Sequence, residues 1–179
     1  MKFDSSWTLF LDRDGVINER EDGGYVTKVE DFSFVPGSIK AIEKLSNIFG
    51  RIVIVTNQAG IGKGLMTEKQ LQKIHQHLLK TIDLLDGRID KIYHCPDTPD
   101  SNSPNRKPEI GMAMQAKADF PEIEFSRSVI VGDSVSDMAF GARLGMVKVF
   151  IDGKGEDPSA VTPEFQFASL KDFAAALIK

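Results

Sequence analysis

Residues 7–11 form a short, almost wholly apolar run that is followed by two carboxylates, Asp12 and Asp14, and by Gly15. A run of this length, rich in aromatic and branched residues, is typical of a strand that is covered on both faces of a parallel sheet. Positions two apart on an extended chain point the same way. We therefore expect Asp12 and Asp14 to leave the carboxyl end of a strand on one side, where open α/β sheets bind their ligands. Asp-Gly is also common in turns, so the motif gains its meaning from the rest of the chain.

Strand patterns and helical patterns alternate along the chain. The strand patterns fall at residues 7–11, 51–55, 89–93, 128–131 and 147–151, and the helical patterns at residues 38–49, 67–85, 109–120, up to 144, and from 170. This alternation predicts βαβ units and a parallel sheet with right-handed crossovers. The predicted fold class is α/β, a single Rossmann-like doubly wound parallel sheet without a separate cap domain. Residues 1–179 are expected to form one domain.

Two segments between these patterns need an interpretation of their own. Residues 15–36 form a long irregular stretch, and loops of this length are usually functional or mobile, so we expect it to form a wall of the site beside the two carboxylates. The helix that follows the second strand begins with Thr67 and Gln70, which match a capping box. His75 and His77 lie two positions apart and do not share a helix face, so we interpret both as surface residues rather than ligands.

Composition narrows the class of protein. The chain has 179 residues and a net charge of −4, which gives no electrostatic reason to expect nucleic acid binding. No apolar run is long enough to cross a membrane, and the first residues lack the apolar core of a secretory signal. The single cysteine, Cys95, excludes an internal disulfide and suits a reducing compartment. We expect a cytoplasmic monomer without a membrane or nucleic acid partner.

Candidate functional side chains follow several of the predicted strands. The carboxylates Asp12, Asp14 and Asp133 are hard oxygen ligands, which suit Mg²⁺ better than Zn²⁺. Lys107, in the loop before the 109–120 helix, adds a positive charge, and Thr56 offers a hydroxyl beside a turn rich in backbone N–H donors. The ends of parallel strands share one edge of a sheet, so these groups predict a site that handles a phosphoryl group.

Each candidate also has an ordinary structural interpretation. Thr56 with Asn57 could cap a helix, and Lys107 could be a surface charge. Asp137 matches a capping box with Ser134, and capping is as good an interpretation as a role in the site. The segment of residues 60–64 resembles a phosphate loop, but it lacks the spacing of a nucleotide P-loop, so we reject that function. The coincidence of several candidates at successive strand ends favours a site.

Four motifs together resemble the haloacid dehalogenase superfamily of phosphatases. They are Asp12-Arg-Asp14-Gly15-Val-Ile-Asn18, Thr56-Asn57-Gln58, Arg106-Lys107-Pro108 and Gly132-Asp133-Ser134-x-x-Asp137-Met138. The resemblance runs from residue 7 to residue 151. Narrower cues resemble the capless branch that contains heptose bisphosphate phosphatases and histidinol-phosphatases: Gly24-Tyr25-Val26, Phe34-x-Pro36-Gly37, Asn57-Gln58-Ala59-Gly60-Ile61 and Cys95-Pro96.

The resemblance implies a role for each motif. Asp12 would be the nucleophile that forms an aspartyl-phosphate, and Asp14 would protonate the leaving oxygen and then activate water. Mg²⁺ would be held by Asp12, the backbone carbonyl of Asp14, and Asp133. Thr56 and Lys107 would steady the phosphoryl group. The expected substrate contacts are Asn57, Gln58, Arg106, Gly24 and Tyr25.

The sequence departs from this branch at one place. Its members commonly carry a structural zinc loop with three cysteines and a histidine before the Arg-Lys-Pro motif. Here Cys95 is the one cysteine, Asp97 stands where the histidine is expected, and Ser103 and Asn105 stand near the other cysteine positions. One cysteine cannot build a four-ligand thiolate site, so we expect no structural zinc.

Two substrates and one non-enzymatic function fit these residues. The leading hypothesis is Mg²⁺-dependent removal of the 7-phosphate of D-glycero-D-manno-heptose 1,7-bisphosphate, since Arg106 could reach a second phosphate. Histidinol phosphate is the alternative, since the carboxylates Glu19, Glu21 and Asp22 could receive its amine. A phosphate-binding or phospho-acceptor domain would also use strand-end aspartates and a lysine. It would not need the acid/base that the Asp-x-Asp spacing provides.

Overall fold

A computed structural model of the chain describes residues 2–21, 23–153 and 156–177. Within these ranges six strands form one sheet, and five α-helices surround it. The strands are β1 (Thr8–Leu11), β2 (Arg51–Asn57), β3 (Lys91–Cys95), β4 (Ser128–Gly132), β5 (Val147–Ile151) and β6 (Phe165–Phe167). The helices are α1 (Ser38–Ser46), α2 (Glu68–Asp83), α3 (Gly111–Asp119), α4 (Val135–Leu144) and α5 (Leu170–Leu177). None of these helices has the length and apolar character needed to cross a membrane.

All neighbouring strands are parallel, in the order β3-β2-β1-β4-β5-β6. β1 lies in the middle of the sheet, with Leu11 paired to Ile54 of β2 on one side and to Val131 of β4 on the other. The strand order reverses at β1 and β4, and α/β sheets open a crevice at such a point. The predicted doubly wound parallel fold is confirmed. One domain over residues 1–179 stays a prediction.

The core lies on both faces of the sheet because alternate strand residues point to opposite sides. Leu9 and Leu11 of β1 belong to the apolar cluster on one face, which α1, α2 and α5 cover. Phe10 of β1 belongs to the cluster on the other face, which is built with α3 and α4. Each fully buried side chain of this size contributes roughly 1.5–3 kcal/mol of transfer free energy. This packing fixes the position of the residues that follow β1.

The differences from the predicted elements have local causes. The third strand begins at Lys91 rather than residue 89, because Asp90 forms a different pair of bonds to Ile52. The Asp90 amide donates to the Ile52 carbonyl, and the Asp90 carboxylate accepts from the Ile52 amide. β6 was not predicted, since it has three residues and none of them is buried. The capping box of Thr67 and Gln70 at the start of α2 is confirmed.

The long stretch from residue 15 to residue 36 contains one 3₁₀ turn, Val29–Asp31. Asn18 forms bridges with Asp14 and with Phe34, and the Ser38 hydroxyl donates to the carbonyl of Ile17. These contacts tie both ends of the stretch to the strand that carries the candidate carboxylates. Its middle then lies beside the carboxyl edge of the sheet, as predicted. Asp22 is outside the described residues.

Candidate active site

The candidate groups meet at the carboxyl edge of the sheet, where the strand order reverses. Asp12 directly follows β1, and its amide donates to the carbonyl of Val131 in β4 over 2.9 Å. Asp133 directly follows β4, and Thr56 lies near the end of β2. All three side chains are almost completely buried. The parallel topology therefore brings together residues that are far apart in the sequence.

Three buried carboxylates form a cluster at this edge. Asp12, Asp133 and Asp137 each offer one oxygen, and these oxygens all lie within 4.8 Å of one another. Burial, followed by the negative charge of Asp137, raises the pKa of Asp12 to about 7, although Lys107 opposes the shift and Asp133 and Asp14 add to it. Three hard oxygen donors that repel one another are a donor set that fits a divalent cation such as Mg²⁺.

Lys107 is the cation inside this cluster. Its ammonium nitrogen lies 2.9 Å from Asp12 Oδ1 and 2.6 Å from Asp137 Oδ1, and it donates to the Val55 carbonyl over 2.7 Å. An ammonium has three N–H donors, so all three are used. Burial lowers the pKa of Lys107, but Asp12 and Asp137 outweigh burial and the net shift is upward. Lys107 is therefore a fixed positive charge next to the candidate nucleophile.

Asp137 has both of the roles that the sequence left open. Its carboxylate accepts from the amide and hydroxyl of Ser134, over 3.2 and 2.6 Å, which completes a capping box at the start of α4. Its other oxygen receives the ammonium of Lys107. The capping contact with Ser134 therefore orients the Asp137 carboxylate, which in turn positions the ammonium of Lys107.

Asp14 points to a different set of partners. Arg13 Nη2 lies 2.9 and 3.1 Å from its two oxygens, Asn18 Nδ2 donates over 2.9 Å, and Gln58 Nε2 donates over 2.8 Å. Burial raises the pKa of Asp14, but the charge of Arg13 and the hydrogen bonds outweigh burial and the net shift is downward. The Asp14 carboxylate is thus separate from the three-carboxylate cluster. Metal binding through its backbone carbonyl stays a prediction.

The two amide side chains after β2 support the neighbouring candidates. Asn57 forms two hydrogen bonds with the backbone of Lys107: its Oδ1 accepts from the Lys107 amide over 3.0 Å, and its Nδ2 donates to the Lys107 carbonyl over 3.1 Å. Gln58 Nε2 donates to Asp14 Oδ2 and, over 2.9 Å, to the hydroxyl of Thr56. The structure therefore uses both amides to orient catalytic candidates. Substrate contact by Asn57 and Gln58 stays a prediction.

A cavity of about 490 Å³ opens above these groups. All the predicted site residues except Thr56 and Asp133 line it: Asp12, Asp14, Gly24, Tyr25, Asn57, Gln58, Arg106 and Lys107. Its remaining charged residues are Arg20, Glu21, Lys63 and Glu156. The Lys63 ammonium lies 5.4 Å from the centre of the Tyr25 ring. Lys63 thus lines the cavity, although the spacing of its glycine-rich segment, residues 60–64, does not match a nucleotide P-loop.

The sequence of this chain matches known phosphatases over nearly its whole length. Residues 7–174 match the family described as polynucleotide kinase 3 phosphatase. The chain belongs to this family. It is 35% identical to a D-glycero-alpha-D-manno-heptose-1,7-bisphosphate 7-phosphatase of Mycobacterium tuberculosis, over 96% of this chain and 91% of the relative. It is 34% identical to a D-glycero-beta-D-manno-heptose-1,7-bisphosphate 7-phosphatase of Escherichia coli, over 96% and 93%.

A solved structure supports the same relationship. The crystal structure of a D,D-heptose 1,7-bisphosphate phosphatase from B. bronchiseptica, in complex with magnesium and phosphate, matches with a TM-score of 0.86 and 29% identity. The match covers 99% of this chain and 98% of that one. Membership of the haloacid dehalogenase superfamily is thus confirmed, and this member of the polynucleotide kinase 3 phosphatase family is a phosphoric monoester hydrolase.

Two arginines of this phosphatase were not predicted as part of the site. Arg20 donates from Nη2 to Asp133 Oδ1 over 2.7 Å, and it lines both the cavity described above and a second one, also of about 490 Å³, near Gly153 and Ser169. Arg13 is fully buried between β1 and α2. Arg13 stands between Asp12 and Asp14 directly after a buried strand, and a charged side chain that is buried there needs a buried partner.

The prediction that His75 lies on the surface is wrong. His75 is buried, and its Nε2 lies 3.2 Å from Arg13 Nη1. Its position on α2 explains the burial, because Leu71, Ile74 and Leu78 lie three or four residues apart along the same buried stripe. His77 is partly exposed, and its ring lies 5.8 Å from that of Phe32.

The loop after β3 is held by a small polar cluster around Cys95. Its thiol lies 3.5 Å from Asp97 Oδ2 and 3.7 Å from the Ser103 hydroxyl, and Arg106 Nη1 donates to the carbonyl of Asp97 over 3.0 Å. Cys95, Asp97 and Ser103 stand at or near the positions at which the family resemblance places zinc ligands. Hydrogen bonds therefore connect this loop to Arg106 on the cavity wall. The expected absence of structural zinc stays a prediction.

Proposed function

We propose that this protein is a Mg²⁺-dependent phosphatase that removes the 7-phosphate of D-glycero-D-manno-heptose 1,7-bisphosphate. The observation that carries the proposal is the buried Asp12, paired with Lys107 at the floor of an open cavity, in a chain that matches heptose bisphosphate phosphatases over 96% of its length. A carboxylate with a fixed adjacent cation can attack phosphorus, because the cation offsets its repulsion from the phosphoryl oxygens.

The reaction has two displacements at phosphorus. In the first, an oxygen of Asp12 forms a bond to phosphorus while the bond to the sugar oxygen breaks, and Asp14, which must hold a proton when the substrate is bound, gives that proton to the sugar oxygen. In the second, Asp14 takes a proton from water, the water oxygen attacks phosphorus, and the bond to Asp12 breaks. Inorganic phosphate leaves and both carboxylates return to their starting forms.

Other side chains hold the reacting groups in place. Lys107 would steady the transferring oxygens through its positive charge and Thr56 through its hydroxyl, and Asn57 and Gln58 hold these two residues through the contacts described above. Asp12, Asp133 and the backbone carbonyl of Asp14 would hold Mg²⁺. When bound, the ion supplies positive charge that offsets the repulsion between phosphoryl oxygens and carboxylates.

The cavity wall supports a substrate with a second phosphate. Arg106 and Lys63 line the same cavity as Asp12, and a guanidinium and an ammonium are both suited to phosphate. The names of the relatives include both anomers of the heptose, so both are candidate substrates. The net charge of −4 and the acidic Glu21 and Glu156 support a small substrate rather than a polynucleotide.

Histidinol phosphate is a second candidate substrate. Glu21 and Glu156 line the cavity, and two carboxylates there could receive the amine of that substrate. The two candidates differ in the charge at the end remote from the reacting phosphate. Substitution of Arg106 by Gln is therefore expected to impair only the hydrolysis of the bisphosphate.

The test is phosphate release in the presence of Mg²⁺ from a panel of substrates. The panel contains both anomers of heptose 1,7-bisphosphate, histidinol phosphate, and an oligonucleotide with a 3′-phosphate, with Asp12→Asn as the inactive control. We expect the largest kcat/KM for one heptose anomer. Preference for histidinol phosphate or for the oligonucleotide would replace the proposed substrate, and equal turnover by Asp12→Asn would refute the nucleophile. Size-exclusion chromatography tests the proposed monomer.

A further inference from the structure

The contact between α2 and the strand end that carries Asp14 has no part in the mechanism described so far. The Arg13 guanidinium is fully buried, and one of its terminal nitrogens, Nη2, bonds both oxygens of Asp14. The other, Nη1, lies 3.2 Å from Nε2 of His75. Arg13 is thus held between a carboxylate at the site and a histidine 62 residues away in the sequence.

The chemistry of the two side chains fixes the direction of this hydrogen bond. A guanidinium has donors and no acceptor, so Nε2 of His75 accepts and the ring proton is on Nδ1. Burial, followed by the charge of Arg13 and by His94, lowers the pKa of His75 to about 3, and Asp14 only partly opposes the shift. His75 is therefore a neutral acceptor at neutral pH.

We propose that His75 is a positioning residue for the acid/base Asp14 and acts through Arg13. By accepting from Nη1, His75 sets the rotation of the guanidinium plane, and that plane sets how Nη2 meets the two oxygens of Asp14. The inference rests on the acid/base role of Asp14 in the proposed function. Asn18 and Gln58 also donate to Asp14, so loss of the histidine acceptor misorients the carboxylate without releasing it.

The position of His75 in the fold supports a rigid role. The residue lies on the buried stripe of α2, and its ring meets that of His94 with centroids 5.9 Å apart. His94 lies on β3 and its Nε2 is 3.0 Å from a carboxylate oxygen of Glu68. Two elements of the fold therefore fix the ring that faces Arg13.

The test uses three substitutions that differ in their acceptor. His75→Leu removes the acceptor, His75→Asn keeps a polar group that is too short to reach Nη1, and His75→Gln places an amide oxygen near the position of Nε2. His77→Leu is the matched control on the same helix, because His77 packs against Phe32 and has no contact to Arg13 among the described residues. Thermal unfolding with each variant checks that the fold is intact.

The readout compares a poor and a good leaving group. Heptose 1,7-bisphosphate needs a proton on the departing sugar oxygen, whereas p-nitrophenyl phosphate releases a stable phenolate, so only the first depends strongly on an oriented acid. Hydrolysis of the aspartyl-phosphate is common to both substrates, so the comparison uses kcat/KM, which reports the first displacement. We expect His75→Leu and His75→Asn to lower kcat/KM for the heptose substrate about tenfold and to change kcat/KM for the aryl phosphate by less than about threefold. His75→Gln should restore most of the loss.

Several outcomes would overturn the inference. Equal losses on both substrates, the same loss in His77→Leu, or no advantage of Gln over Asn at position 75 would show that His75 has only a structural role. Asp14→Asn is measured in parallel. If it lowers turnover of the heptose substrate while neither His75→Leu nor His75→Asn does, this inference alone fails. If Asp14→Asn leaves that turnover unchanged, the acid/base role and this inference fail together.

Discussion

Arg20 is predicted to compete with a divalent cation for Asp133. Its Nη2 lies 2.7 Å from Asp133 Oδ1, and Asp133 is one of the two carboxylates proposed to hold Mg²⁺. A hydrogen bond to a charged group contributes about 1.5–3 kcal/mol. The Arg20 side chain is 32% exposed, so solvent screening reduces this to roughly 1.4 kcal/mol. A cation that must displace Arg20 from Asp133 pays this cost, and Arg20→Gln should therefore bind Mg²⁺ about tenfold more tightly.

Isothermal titration of Mg²⁺ into the substrate-free protein measures this effect without any reaction. Arg20→Lys keeps a cation at the same position and should bind Mg²⁺ with an affinity closer to that of the unaltered protein. Lys63→Gln removes a cation from the wall of the same cavity, next to Tyr25, and should change the affinity by less than about twofold. An Arg20→Gln affinity within twofold of the unaltered protein, or a gain equal to that of Lys63→Gln, would refute specific competition at Asp133.

Three other changes test the support of the site. Asn57→Ala removes both hydrogen bonds to the Lys107 backbone, and we expect a loss of about 1–2 kcal/mol in the free energy of unfolding, measured in urea, with a lower kcat. Gly15→Ala places a Cβ against the Asp133 carboxylate at a positive φ, so it should weaken Mg²⁺ binding. Gly23→Ala places its Cβ within 4 Å of no atom of the described residues beyond its chain neighbours and should cost only about 1 kcal/mol of strain. Elemental analysis of the purified protein should find far less than one zinc per chain.

Strand-end chemistry was predictable from the sequence because the topology was predictable. In a parallel sheet, Asp12 and Asp133 must lie at the same carboxyl edge, and their negative charges then favour a position for Lys107 near them. Asp137 was harder, because its spacing from Ser134 explains it fully as a cap and the sequence gives no sign of the contact to Lys107. Local patterns thus identified the residues that follow strands, together with the order of the elements.

The contacts that the sequence did not predict join separate elements through side chains. Arg13 and His75 meet between β1 and α2, and the interpretation of His75 as a surface residue used only its spacing from His77. The buried stripe of α2 includes Leu71 and Leu78, and counting by three and four from either would have placed His75 inside. The contact of Arg20 with Asp133 depends on the path of the irregular stretch, residues 15–36, which has no hydrophobic periodicity from which that path could be predicted.

The central position of β1 has a consequence for hydrogen exchange. Phe10 belongs to a strand that is paired on both sides and covered on both faces, and the amide of Asp12, directly after that strand, donates to Val131 of β4. Both amides should therefore exchange only when the whole domain unfolds. Glu19, Arg20, Glu21, Gly23 and Gly24 are mostly exposed and should exchange through local opening. The proposed nucleophile Asp12 and the proposed substrate contact Gly24 therefore lie in parts of different local stability. We expect changes in the loop around Gly24 to alter substrate preference at little cost to the fold that carries Asp12.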